Sequence, residues 1–345
     1  MEFSKVKWDG FIRSFQELGG VFQNACLQEG DLGRGIFPVD PSLPTKIFTP
    51  KSLLLNRDKI EIQKDGNLAI NGRESVPSLE LHFLESYYSE ISWGCGGGKN
   101  AQLFLEKLML IPDDVRLQLA RVGFIPSNLL ISKLDDATIF NRFKCERSVL
   151  FKKQSVLAPF WEMVNHSSYA PSLRVTPAGV ETPPISPSNR EILFKYSKTN
   201  SSIYMWANYG FACHCLWAYS IPFRKKVGSK QLIIVCEGHQ KQSFVNERGF
   251  VIKASGEMVF DSLIIGCLSR SLPHNVFSSA LISLGVSQDE ATELMEEIQD
   301  LNIKTRREIL SVIKLLAENP AAELIKSVEY DIDLIRNSKY SSIKV

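Results

Sequence analysis

The chain has 345 residues, 44% hydrophobic and 23% charged, which suits a soluble globular protein with one large core and a smaller companion and excludes a fibrous or largely disordered chain. Forty Lys and Arg against 38 Asp and Glu leave a formal charge of +2, too small a surplus to attract nucleic acid broadly, so none is expected as a partner. The single compact basic run, Arg224-Lys225-Lys226, reads as a solvated turn rather than a phosphate patch.

The opening MEFSKVKWDGF lacks the apolar stretch of a secretory signal. From Phe22 to Leu55 short apolar runs are broken by Gly30, Gly33, Gly35 and four prolines, the punctuation of short strands and tight turns. The runs IEIQ and LAING flank Lys64-Asp65-Gly66-Asn67 and predict a hairpin, because Asp-Gly tolerates the positive φ a tight turn needs. Between Ser78 and Leu150 the apolar spacing becomes helical and predicts three or more helices, with a loop at Trp93 to Lys99. The Gly run in that loop lacks the spacing of a phosphate-binding loop.

Residues 155 to 223 mix strands with a Pro/Ser segment, Thr176 to Pro187, expected as an exposed loop. QLIIVCEG and GFVIKASG read as strands, with a turn at Ser255-Gly256. From Asp261 the spacing predicts helices over Ala291 to Ile298, Thr305 to Glu318 and Ala321 to Ile335, with Asn319-Pro320 ending one of them. No run of about 18 uncharged apolar residues suggests a membrane span. Seven cysteines without paired CxxC spacing read as reduced thiols. Cys213-His214-Cys215 lacks companions for a closed zinc site, so no metal is expected. A soluble intracellular, cytoplasmic protein fits these features, the nucleus being left open.

Four segments, in order, resemble SET-domain protein methyltransferases of the RuBisCO large-subunit methyltransferase-like branch. Gly33-Arg34-Gly35-Ile36-Phe37, followed by Ile47-Phe48-Thr49-Pro50 and Leu53-Leu54-Leu55, is similar to that family's opening strands. Ser155 to Ser167, SVLAPFWEMVNHS, resembles its "LVPxxDMxNHS", with Glu162 where Asp is usual. Ile192 to Asn200 and Tyr204 to Phe211 resemble "VFxxYGxKSNxxLLxxYGF", with Ser197 in place of a glycine. Gly256 followed by Leu263, Ile264, Leu268 and Arg270 is similar to the approach to the family's helical domain.

The resemblance implies an α+β chain: a β-rich SET fold over residues 20–225 with a pseudoknot-like crossing and a helical insertion at about 78–150. Connecting strands at 226–260 and a small all-helical domain at 261–345 would follow. It implies S-adenosyl-L-methionine as cofactor, held by Gly33, Arg34, Gly35, Asn165, His166 and Tyr196. Tyr196 and Tyr209 fall on catalytic-motif aromatics, and Phe194, Tyr204, Trp206 and Phe211 would line a substrate channel.

The implied reaction is in-line methyl transfer to a lysine of a protein substrate, non-histone by the same resemblance. Free lysine, with a pKa near 10.4, is mostly charged at neutral pH. An apolar channel would favour its neutral form, and aromatic walls would attract the cationic product. Histidine as acceptor, and a catalytically silent SET-like protein-binding module, remain alternatives. Oligomeric state is open.

Overall fold

The computed structural model describes residues 5–63, 66–72, 76–183, 185, 190–196, 201–227, 232–238, 250–260, 262–268, 272–316 and 321–340. Mixed strands and helices make an α+β protein with a helical C-terminal region. The chain divides into two compact units, one of residues 1–105 and 133–198, the other of 106–132 and 199–345.

The first unit begins with helix α1 (Lys5–Glu17), unread in the sequence, whose Trp8 and Phe15 enter the core. Strands β1 (Val21–Gln23), β2 (Cys26–Gly30), β3 (Gly33–Phe37) and β4 (Lys46–Pro50) follow, then β5 (Leu55–Asn56), β6 (Ile60–Ile62) and β7 (Leu68–Ile70). The β6–β7 hairpin falls where the Asp-Gly turn predicts it, with Ile60 opposite Ile70 and Gly66 at φ +83°; Lys64 and Asp65 lie outside the described residues.

Helix α2 (Ser78–Tyr87) runs into a π-helical stretch, Tyr88–Gly97, that breaks at Cys95 and Gly96. The expected glycine loop is therefore a wound segment with a kink. Helix α3 (Gly98–Met109) comes next, and after the second unit's α4 (Asp113–Arg121) the first unit resumes with α5 (Asp136–Arg147). Asp135 caps α5 by accepting the Thr138 N–H at 2.9 Å.

Strands β8 (Ser148–Phe151), β9 (Gln154–Leu157), β10 (Asn165–His166), β11 (Arg174–Thr176), β12 (Gly179–Glu181) and β13 (Leu193–Phe194) complete the unit. They assemble as β1-β4-β12-β11, β5-β9-β8, β2-β3, β6-β7 and a parallel β10-β13 pair. The first part of the expected Thr176 to Pro187 loop is a hairpin, Val175 opposite Val180. Gly179 lies so close to β4 that a Cβ would stand 2.1 Å from the Thr49 carbonyl, which is why a segment of turn composition can pair there.

The second unit carries α6 (Ser202–Tyr209), β14 (Trp217–Tyr219), β15 (Phe223–Lys226), β16 (Ile233–Cys236), β17 (Val251–Ile252), β18 (Glu257–Phe260) and β19 (Ile264–Cys267), then α7 (Leu272–Ile282), α8 (Gln288–Ile313) and α9 (Ala322–Tyr340). Its sheets are β15-β16-β18-β17 and β14-β19. The basic run lies on β15 rather than in a turn, where Arg224 pairs with Glu257 and Lys225 with Glu297.

The C-terminal region is helical as expected, but the chain approaches it through a strand. Leu263 to Leu268 reads equally as helix or strand by spacing, and antiparallel pairing of Trp217 with Cys267 decides for strand. Helix α8 is continuous where the sequence suggests two pieces. Gln299, Asn302 and Arg306 are buried on it and hide the apolar period. Arg270 and Asn319-Pro320 lie outside the described residues. Among the described residues no helix is long and apolar enough to cross a membrane.

Candidate functional site

The site begins with a strained turn. Phe160 holds φ +69°, an unusual conformation for a bulky residue and one that costs on the order of 1–3 kcal/mol. Its N–H donates to the Tyr87 hydroxyl at 2.8 Å, and its ring lies 4.7 to 5.2 Å from those of Trp8, Phe15, Phe22 and Tyr87. Burying that ring offsets the strain. The Trp161 indole N–H donates to Thr49 at 2.9 Å, and Thr49 donates to the Pro159 carbonyl at 3.2 Å. These bonds fix the turn that sends Asn165-His166 into the core.

There the chain meets itself. Asn165 pairs with Leu193 and His166 with Phe194 in parallel. The Ser167 N–H donates to the Phe194 carbonyl at 3.0 Å, and the Lys195 N–H to that of Pro171 at 3.1 Å. At the start of the same segment, the Ile192 N–H donates to the Ile36 carbonyl at 2.8 Å. Three segments far apart in sequence, 34–36, 165–172 and 191–196, thus share one set of backbone bonds.

The side chains lock this crossing. His166 Nδ1 accepts the Tyr196 N–H at 3.2 Å, so that nitrogen carries no proton and Nε2–H donates to the Ser168 hydroxyl 3.2 Å away. The Tyr196 hydroxyl donates to the Val164 carbonyl at 2.7 Å, and its ring lies 5.0 Å from the His166 ring. Desolvation raises the Tyr196 pKa well above that of a free phenol, with the Glu191 charge adding to the rise and Arg147 opposing it. Tyr196 is therefore a neutral hydroxyl at physiological pH, a donor whose oxygen keeps lone pairs to accept with, and no base.

Asn165 Nδ2 donates to the Arg34 carbonyl at 3.0 Å and to Glu191 Oε1 at 2.6 Å. A Cβ on Gly35 would stand 1.9 Å from that carboxylate oxygen, so only glycine lets Glu191 and Asn165 reach the strand. Gly33 serves the β2–β3 turn, at φ +87° with open space where a side chain would go. Burial raises the Glu191 pKa, the Asn165 bond lowers it and Asp31 raises it.

Beside the crossing is a buried polar group that sequence spacing does not connect. Ser92 donates to Glu162 Oε2 at 2.5 Å, Arg147 Nη1 approaches the Glu162 carbonyl at 3.4 Å, and Arg34 donates to the Cys95 carbonyl at the kink. Desolvation raises the Glu162 pKa, opposed chiefly by the Arg147 charge, then by the Ser92 and Tyr87 hydroxyls, with Arg34 contributing. Glu162 Oε1, Arg147 Nε and the Tyr88 hydroxyl are buried with no hydrogen-bond partner. Buried polar atoms of this kind call for a reason. A separated donor and acceptor suit a zwitterion whose carboxylate meets Arg147 and whose ammonium meets Glu162.

Phe194 is buried against Trp161, rings 5.3 Å apart. The other expected aromatics belong to the second unit. Trp206 is buried in α6, the Tyr209 and Phe211 rings lie 6.3 Å apart, and Tyr204 lines a small cavity with Phe124, Tyr219, Arg306 and Asp331. Ser197 lies outside the described residues. Of the residues the sequence reading groups together, Arg34, Gly35, Asn165, His166 and Tyr196 meet, while Gly33 sits at the β2–β3 turn with open space around it; Glu191, Arg147 and Ser92 were missed. Only the kinked Gly94 to Gly98 stretch hinted at the last of these, since π-helical segments gather at functional sites.

No family model matches this chain, and no curated protein does. Among solved structures it is similar to the SET domain of LSMT bound to lysine and AdoHcy, at 15% identity and a TM-score of 0.42 over 96% of this chain and 88% of that one. It is also similar to Rubisco LSMT bound to AdoMet, at 14% identity and a TM-score of 0.41 over the same shares. Likeness at this distance transfers neither a residue nor a ligand.

Proposed function

We propose that the chain is a SET-type methyltransferase that takes S-adenosylmethionine as donor and a lysine side chain of a protein as acceptor. The observation that carries the reading is the meeting of Arg34-Gly35, Asn165-His166 and Tyr196 at one parallel crossing, the residues that the sequence resemblance assigns to the cofactor. When bound, the cofactor supplies a methyl group made electrophilic by its sulfonium.

The chain's own part is to hold and to exclude. Arg147 and Glu162 suit the carboxylate and ammonium of the cofactor's amino-acid end. Asn165, pinned by Glu191 and the Arg34 carbonyl, and His166, held in one tautomer by Tyr196 and Ser168, keep the crossing rigid. The neutral Tyr196 hydroxyl offers lone pairs toward a methyl group, and withholding a base leaves positioning as the main source of rate, an effect worth roughly 7 to 11 kcal/mol. The acceptor lysine must be neutral to attack, which apolar lining favours. Phe194, packed on Trp161 in the same unit as the crossing, is proposed as part of that lining.

Incubating the full chain with methyl-labelled cofactor and a protein extract should label lysine in acid hydrolysates, and Tyr196→Phe should lower the label at least ten-fold. Label on histidine would move the acceptor assignment without touching the cofactor site. One observation favours a silent binding module: the Glu191 carboxylate already fills the space Gly35 leaves, and a product-free reaction by a cofactor-binding chain would establish that reading.

A further inference from the structure

We propose that Cys213 and Cys215 form a redox-active dithiol that a hydroperoxide closes to an intrachain disulfide. The inference is independent of the methyl-transfer reading. The two sulfurs lie 3.3 Å apart across His214, about 1.3 Å beyond a disulfide bond length. Residues 211–215 lie outside helix and strand, immediately after Gly210 ends α6 in the left-handed region. Closing the remaining gap therefore breaks no helical or ladder hydrogen bond. The segment is tied by the Ala212 N–H, which donates to Glu323 at 3.0 Å, with Glu323 itself paired to Lys326.

The pair is asymmetric in access. Cys213 is partly exposed and Cys215 buried, which assigns the first step to Cys213. Its thiolate attacks the O–O bond, giving a sulfenic acid and an alcohol or water. The Cys215 thiol then displaces the sulfenic oxygen as water, forming the S–S bond. Two thiols and one hydroperoxide thus become one disulfide, one alcohol and one water, two electrons passing from sulfur to oxygen. With one residue between them, the second step outruns encounter with any other thiol. In a reducing compartment such a bridge would be transient, the behaviour of a sensor rather than a structural staple.

The test uses the full chain, reduced, desalted and treated with equimolar hydrogen peroxide, then alkylated and mapped without reductant. The expected result is a mass lower by about 2 Da before alkylation, reversed by dithiothreitol. Two of the seven thiols should be lost, with the bridge inside the peptide holding 213–215. C213S should abolish the bridge, and C215S should leave a sulfenic acid at Cys213 that dimedone captures. Unchanged mass, a bridge to Cys267 or elsewhere, or stable oxygen addition at Cys213 in the unsubstituted chain would each overturn the proposal. The wild-type map decides even if a variant fails to fold.

Discussion

Each unit sets an arginine near an acid, Arg306 fully buried in the second and Arg147 half-buried in the first, and the two arrangements differ in what they leave over. In the second unit, Arg306 donates to Asn302 Oδ1 and to the Tyr219 carbonyl, both at 2.7 Å, and approaches Asp331 at 3.4 Å. Asn302 also accepts the Ile221 N–H at 2.9 Å, and Asp331 accepts the Ser202 N–H at the start of α6. This centre joins β14, α6, α8 and α9, borders the small cavity beside Tyr204, and leaves Arg306 Nε and the Ser202 hydroxyl without a hydrogen-bond partner. In the first unit, Arg147 and Glu162 touch chiefly through a backbone carbonyl, and a donor and an acceptor stay unused. A closed pair serves packing. An open one suits a ligand.

The sharpest way to break the comparison is to remove one acid from each centre. Asp331→Ala leaves the Arg306 cation buried and should cost about 3–5 kcal/mol in urea unfolding. A cost under about 1 kcal/mol would show the centre is not closed.

Acid titration follows. Burial raises the Asp331 pKa from 3.8 to about 6, against the pull of Arg306. An acid whose folded pKa is raised binds its proton more tightly in the native state, so its stabilisation is complete below pH 3.8 and disappears as pH rises through about 6. Its contribution to stability should fall by on the order of 3 kcal/mol across that window. The slope should vanish in Asp331→Asn, as measured by denaturant midpoints against pH.

Gly35→Ala tests the packing side of the site. The new methyl must push the Glu191 carboxylate, the far end of a flexible side chain, off Asn165, so the cost should be that of one hydrogen bond, roughly 0.5–1.5 kcal/mol. Thermal unfolding should show it, and the companion Glu191→Ala substitution should recover part of the loss by making room. If the pair does not recover, the close approach at Gly35 is not what fixes the strand.

The smallest expected stability effect belongs to the open centre. Glu162→Gln keeps the shape and the Ser92 contact, so it should change stability by no more than about 1 kcal/mol while weakening cofactor binding about ten-fold, or about 1.4 kcal/mol. Calorimetry on both proteins separates the two effects.

How much of this was readable before folding follows from sequence distance. The β6–β7 hairpin carries its turn chemistry locally, and α3, α4 and α9 carry helical period. Helix α1 and strand β19 do not declare themselves, because their identity rests on what they pack or pair with. At the site, Asn165, His166 and Tyr196 were legible because they sit in strings that resemble a known family. Glu191, Arg147 and Ser92 carry no such string. Their meaning comes from contacts spanning 26 residues to Asn165, 15 to the Glu162 carbonyl and 70 to the Glu162 carboxylate, and no local pattern encodes those.

Titration of the folded chain with S-adenosylhomocysteine by calorimetry is the most direct test of the central claim, that the crossing in the first unit is a cofactor site. One molecule should bind per chain, with affinity reduced at least ten-fold by Arg147→Met and unaltered by Asp331→Asn. Absence of binding to a chain whose circular dichroism shows it folded would contradict the account, as would binding indifferent to Arg147.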